Sequence, residues 1–266
     1  MTNEINISEV LPKFLYKYRK DDDRSWDALK NCKIYFSNRN GFNDLLDSRL
    51  ELVMPTIPEL EILDLQNRIT VFGRRPQFPR FINKQKVTLA GQKILDNYRQ
   101  MVEDLLDSYK FYCLCANGDS NAMWAYYAED HKGFCIEFNT AVISGDQVQY
   151  KSGQPKIKLI DHLANQNNQA IGKAIWDGLR TKELKWDHEE EYRLQPSNEM
   201  KKLLTQVNVD TSFAIYQPEW VESIIFGYKM SEERRQFFIQ NYPHNVKFKH
   251  FVRNGITLAV EELPQA

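Results

Sequence analysis

Residues 186–194 read Trp186-Asp187-His188-Glu189-Glu190-Glu191-Tyr192-Arg193-Leu194. Three consecutive acids are costly to bury, yet they run directly into Tyr-Arg-Leu, which reads as the start of a strand. Side chains alternate along a strand, so Glu189, Glu191 and Arg193 are expected on one face and His188, Glu190, Tyr192 and Leu194 on the other. Two carboxylates and a guanidinium on one face form either a solvated sheet edge with internal salt bridges or the floor of a polar site. Clustered carboxylates repel, which tends to raise a pKa and suits one of them to general-acid work. Glu190 reads as a solvated neighbour.

Working outward, Ile171, Ile175 and Leu179 recur at i, i+4 and i+8 and predict a helix leading into the acidic stretch. Residues 14–18 alternate Phe14, Tyr16 and Tyr18 against Leu15, Lys17 and Arg19, a short strand. A second strand covers 33–37 and ends on Ser37. Ser25 reads as the cap of a short helix between them. A long helix is expected over 84–108, with Val87, Ile94, Tyr98, Met101 and Leu105 as its apolar stripe. Residues 111–115 read as a strand and 133–138 as an apolar central one. Between them a helix through Glu129 would align Trp124, Tyr127 and His131 on one side. Residues 221–226 form another strand, Ser231 caps a helix, and Asn254-Gly255 joins two alternating runs as a hairpin. Strands and helices mix without strict βα alternation. The fold class is therefore α+β, one domain with a mixed, mainly antiparallel sheet and a helical insertion over 56–109.

Composition narrows the function classes. With 266 residues, 42% hydrophobic and 27% charged, the chain is long enough for a substantial core. A formal charge of −1 gives no bulk attraction for nucleic acid. No apolar run reaches the roughly 18 residues of a membrane span, and the first residues do not read as a signal peptide, so a cytoplasmic chain is expected. The four cysteines form no CxxC pair and read as small buried thiols. There is no Walker A loop, GxGxxG, HExxH or GxSxG, and the five histidines show no ligand spacing. What remains is a set of polar and aromatic residues at element ends: Tyr16, Lys17, Arg19, Ser37, Asn43, Asp44, Asp47, Trp124, Tyr127, His131, Lys182, Trp186, Glu189, Glu191 and Arg193.

Taken in order, several blocks resemble a bacterial family known as domain of unknown function 2971. They are Leu15-Tyr-Lys-Tyr-Arg19, Ile34-Tyr-Phe-Ser37, Gly41-Phe-Asn-Asp44, residues 123–138, Lys182 with Trp186-x-x-Glu189-x-Glu191-Tyr-Arg193, and Ile224-Ile-Phe-Gly227. Members usually carry Pro where this chain has Leu45. More distantly, an aromatic-basic first strand, a second strand ending in Ser and a late Glu-x-Glu strand resemble ADP-ribosyltransferases. That likeness implies cleavage of the nicotinamide–ribose bond of NAD and transfer to an unidentified acceptor, in a toxin or phage-defence setting. It casts Glu191 as the catalytic acid, Glu189 as positioning an acceptor and Arg193 as their partner. Lys17, Arg19 and Ser37 would orient the dinucleotide, and Trp124, Tyr127 or His131 would stack or contact it. No metal is expected on this reading. Two alternatives stand beside it. One is a non-enzymatic sensor whose pocket binds a nucleotide or a partner. The other is a metal-dependent nuclease in which Asp44 or Asp47 joins the glutamates.

Overall fold

The structure is a computed structural model and describes residues 11–42, 44–69, 79–163, 168–196, 202–208 and 212–263. The fold is α+β, and the chain divides into two compact units. The first takes Met1–Ser37, Lys110–Val148 and Lys185–Ala266, and the second Asn38–Tyr109 and Gln149–Leu184.

The first unit is built on an eight-stranded sheet. Its order is Thr257–Glu262, Lys247–Asn254, Val221–Phe226, Phe134–Asn139, Phe14–Arg19, Tyr112–Cys115, Glu191–Leu194 and Asp146–Gln147. Only the Val221–Phe226 and Lys247–Asn254 pair is parallel; the other pairings are antiparallel. Phe134–Asn139 is central: its first five residues are buried, and it pairs with the first strand along all six residues. One face carries Leu15, Tyr112, Leu114, Ile136, Phe138, Tyr192, Leu194, Ile224 and Phe226 into the main core, which Leu29 and Phe238 close from helices Asp23–Lys30 and Glu232–Asn241. Each fully buried side chain of this size contributes roughly 1.5–3 kcal/mol. The opposite face carries Tyr18, Cys115, Cys135, Ile225 and Phe251 against Trp124 of helix Asn121–Tyr127. Two glycines let the ends of these strands approach. A Cβ on Gly133 would lie 2.1 Å from the Arg19 carbonyl oxygen, and one on Gly227 would lie 2.2 Å from that of His131.

The first helix is capped by Asp22, whose carboxylate accepts from the Ser25 amide at 2.7 Å, so Ser25 is the residue being capped rather than the cap. Arg234 in the last helix grips Asp21 with two hydrogen bonds of 2.6 and 2.8 Å. The Lys247–Asn254 and Thr257–Glu262 hairpin turns at Gly255, whose φ of +65° is the left-handed conformation that glycine reaches without strain.

The second unit contains helices Ile57–Ile69, Leu89–Ser108 and Asn168–Leu179. Ile171, Ile175 and Leu179 are buried as their spacing predicts. The stripe on the long helix is rotated: Leu95, Val102 and Leu106 are buried, while Met101 is 46% exposed and Ile94, Tyr98 and Leu105 flank the core. The two stripes lie one residue apart and both look apolar, so spacing alone could not choose between them. Asp44 builds its turn by accepting from the Leu46 amide at 3.0 Å, whereas Asn43 lies outside the described residues. Asp47 is buried against Lys182 at 3.3 Å and the Ser48 hydroxyl at 2.9 Å.

Candidate functional site

Glu189, Glu191 and Arg193 do not share a strand face as the alternation predicts. The strand begins at Glu191, and Glu189 ends a 3-10 helix, Leu184–Glu189. Glu190 separates them with φ +42°, a left-handed turn that a non-glycine residue adopts at a cost and that resets the alternation. Glu190 is exposed. Arg193 and Glu191 are 0% and 4% exposed and form a forked pair, Nε to Oε1 at 2.7 Å and Nη2 to Oε2 at 3.0 Å. The guanidinium also lies 4.8 Å from the Phe111 ring. Glu189 is equally buried and accepts from the Tyr127 hydroxyl at 2.7 Å. Burial first, and Glu191 second, push the Cys113 thiol well above its ordinary range, which disfavours its thiolate. Glu189 and Glu191 are thus interior and hydrogen-bonded, while Glu190 between them is solvated.

Glu191 stands opposite Cys115, and Cys115 opposite Tyr16, which places Glu191, Arg193, Tyr16 and Tyr18 on one face of the sheet. On that face Tyr16 at 3.0 Å, Ser223 at 2.6 Å and Lys249 at 2.7 Å all donate to the buried Glu137 carboxylate. Trp124 belongs to the same side but is fully packed. Its ring stacks on Phe251 at 5.1 Å, meets Tyr18 edge-on at 5.2 Å, and donates its N–H to the Gly118 carbonyl at 3.0 Å. His131 is not on that helix, which ends at Tyr127; three left-handed residues, Glu129, Asp130 and His131, follow it. The turn stacks the imidazole on Phe251 at 5.9 Å, and burial, then Lys229, pull its pKa down. Trp124 is therefore core, as is most of the His131 ring face. Ser37 ends its segment in a backbone bridge to Phe111 with bonds of 3.0 and 2.9 Å.

Lys17 and Arg19 point the other way. They alternate with Tyr16 and Tyr18 and so share the face of Leu15, opposite to Glu191. Glu191 and the two cations thus lie on opposite faces of the sheet, with the Glu191 charge still acting on Lys17. Lys17 Nζ donates to the Cys113 carbonyl at 2.7 Å and sits 4.6 Å from the Tyr112 ring centre. The Arg19 guanidinium lies 5.9 Å from the centre of the same ring. Among the described residues neither cation forms an ion pair. Burial, and then the neighbouring Arg19 charge, pull Lys17 from 10.5 down to about 8.

Sequence reasoning missed three tyrosines on this face, Tyr112, Tyr216 and Tyr242, all in the main core. The 12% aromatic content was the available signal, and the alternation of residues 111–115 could have set Tyr112 beside Lys17. Among the described residues no group of three or more His, Cys, Asp or Glu side chains could hold a metal ion. Nor is any described helix long and apolar enough to cross a membrane.

Residues 123–194 match the family model described as protein of unknown function (DUF2971). The matched segment carries Trp124, Tyr127, His131, the central strand and the Glu189-to-Arg193 stretch. No curated protein and no solved structure matches the chain.

Proposed function

We propose that this protein is a nucleotide-binding module whose ligand presents phosphate to Lys17 and Arg19. One observation carries the reading: Lys17 and Arg19, half-buried on the main-core face, form no ion pair among the described residues, and Lys17 is pulled down to about 8. A partly buried charge without a paired counter-ion is costly, and a bound anion would supply one. The planar guanidinium grips two phosphate oxygens at once and the ammonium adds a point charge, a common division of labour around phosphates. NAD and ADP-ribose belong to this ligand class, in line with the basic first strand expected to orient a dinucleotide.

The test is isothermal titration calorimetry with ADP-ribose, NAD and AMP on wild type, Lys17→Met and Arg19→Met. Binding in wild type that is lost in both variants is the expected result. Equal heats in all three proteins would overturn the reading.

A second reading, NAD cleavage with Glu191 as the acid in a toxin or phage-defence effector, is favoured by the burial of Glu191 and of Glu189, which accepts from the Tyr127 hydroxyl. It requires the Glu191 carboxylate to exchange Arg193 for a ribose hydroxyl. Nicotinamide release by wild type but not by Glu191→Gln, with the variant shown to be folded, would establish it. Absence of turnover in wild type would remove it.

A further inference from the structure

A lysine amine becomes a nucleophile when it is withdrawn from water, denied a carboxylate partner and set beside another cation, because each condition favours its neutral form. Lys17 meets all of them. It stands opposite the buried Ile136 on the next strand, and Arg19, two residues on and on the same face, stands opposite the buried Phe134. Among the described residues no carboxylate pairs with either cation. The Lys17 amine and the Arg19 guanidinium flank one ring, 4.6 and 5.9 Å from the centre of Tyr112. The bond of 2.7 Å to the Cys113 carbonyl fixes the amine in place, and a neutral amine making that bond still holds a lone pair. Burial, and after it the Arg19 charge, bring Lys17 down to about 8, so about one amine in ten is neutral at pH 7.

The spacing of the two groups defines a ligand. Residues two apart on a strand are separated by roughly 6.6 Å along it. The phosphorus and the aldehyde carbon of an open-chain ribose 5-phosphate unit span a similar distance. A phosphate gripped by the Arg19 fork therefore leaves the aldehyde carbon at the Lys17 amine.

We infer that Lys17 forms an imine with the aldehyde carbon of a ribose 5-phosphate unit whose phosphate is held by Arg19. The neutral Lys17 nitrogen adds to C1 of the open-chain sugar. The carbonyl oxygen leaves as water with the two amine protons, so nothing is oxidised or reduced and no further reactant is needed. The inference rests on the nucleotide-binding reading and narrows its ligand to one with a free reducing ribose. ADP-ribose qualifies; NAD and AMP do not, because C1 of each ribose already carries a base.

The experiment incubates wild type and Arg19→Met with ADP-ribose, ribose 5-phosphate or ribose. Samples are quenched at intervals with borohydride, which reduces an imine to a stable secondary amine, and adducts are located by peptide mass spectrometry. Calorimetry records ADP-ribose binding by wild type in parallel. With both phosphate-bearing sugars at pH 7, Lys17 should be labelled at least about tenfold faster than any other lysine. Its rate should level off above about pH 8, while ordinary lysines continue to gain toward 10.5. Arg19→Met should slow labelling to the rate seen with ribose, and the comparison of sugars on wild type gives the same information without a variant. Uniform labelling of the lysines, or equal Lys17 rates with ribose and ribose 5-phosphate, alongside calorimetric binding of ADP-ribose, would overturn this inference and leave the nucleotide reading intact. Neither binding nor a Lys17 adduct in wild type would overturn both.

Discussion

Replacing Lys17 with methionine should make the apo protein more stable, an unusual outcome for a core-facing substitution in the centre of a sheet. The folded amine titrates at about 8 against 10.5 for an ordinary lysine. At about 1.4 kcal/mol per pH unit, keeping it charged at pH 7 costs the fold about 3 kcal/mol. Methionine removes that cost and retains the stem that packs beside Tyr112, but it forfeits the 2.7 Å bond from the charged amine to the Cys113 carbonyl, worth about 1.5–3 kcal/mol. The net expectation is a gain of about 1 kcal/mol, read from urea denaturation at pH 7. The pH dependence gives an independent check. Between about 8 and 10.5 the unfolded chain holds a proton that the native amine has released, so wild-type stability rises with pH in that window. Below 8 the cost is fully present. Lys17→Met should flatten the rise. A loss of 1 kcal/mol or more at pH 7, with the alkaline slope unchanged, would make Lys17 a structural strut and refute the argument that it awaits an anion.

Glu191→Gln removes the counter-charge of a fully buried guanidinium and should cost about 3–5 kcal/mol in denaturant titration, while Glu191→Leu combined with Arg193→Met should recover much of it. His131 sits below its ordinary 6.5, so the unfolded chain takes up a proton first as pH falls. Stability should therefore decline below 6.5 in thermal melts, and His131→Phe should remove that share of the decline. Gly133→Ala would drive a methyl group to 2.1 Å from the Arg19 backbone oxygen and should abolish soluble expression, whereas Gly153→Ala, which meets nothing within 4 Å, should remain soluble with a small strain cost from its φ of +84°.

Much of the fold was legible because its signals were local and unambiguous. The 134–139 strand sets Phe134, Ile136 and Phe138 on one face, the helix ending at Leu179 repeats every fourth residue, and Asn254-Gly255 has a single reading as a turn. The site was less legible, for reasons that can be named. Alternation through residues 189–193 assumed an unbroken strand, and one left-handed residue, Glu190, broke it. Helical spacing carried His131 onto a helix that stops four residues earlier in a left-handed turn. The faces of Lys17 and Glu191 depend on register across three strands, which only the pairing of Tyr16 with Cys115 and of Cys115 with Glu191 determines.

The order of the sheet also bears on how the chain is made. The central 134–139 strand leaves the ribosome after its first neighbour, 14–19, but about eighty residues ahead of its second, 221–226. During that interval one side of the strand offers unmatched amides and carbonyls lined with Phe134, Ile136 and Phe138, a template for intermolecular pairing. Nascent chains stalled or truncated before Val221 should accordingly aggregate or engage chaperones, and release from that state should coincide with synthesis of the last three of the eight strands, 221–226, 247–254 and 257–262.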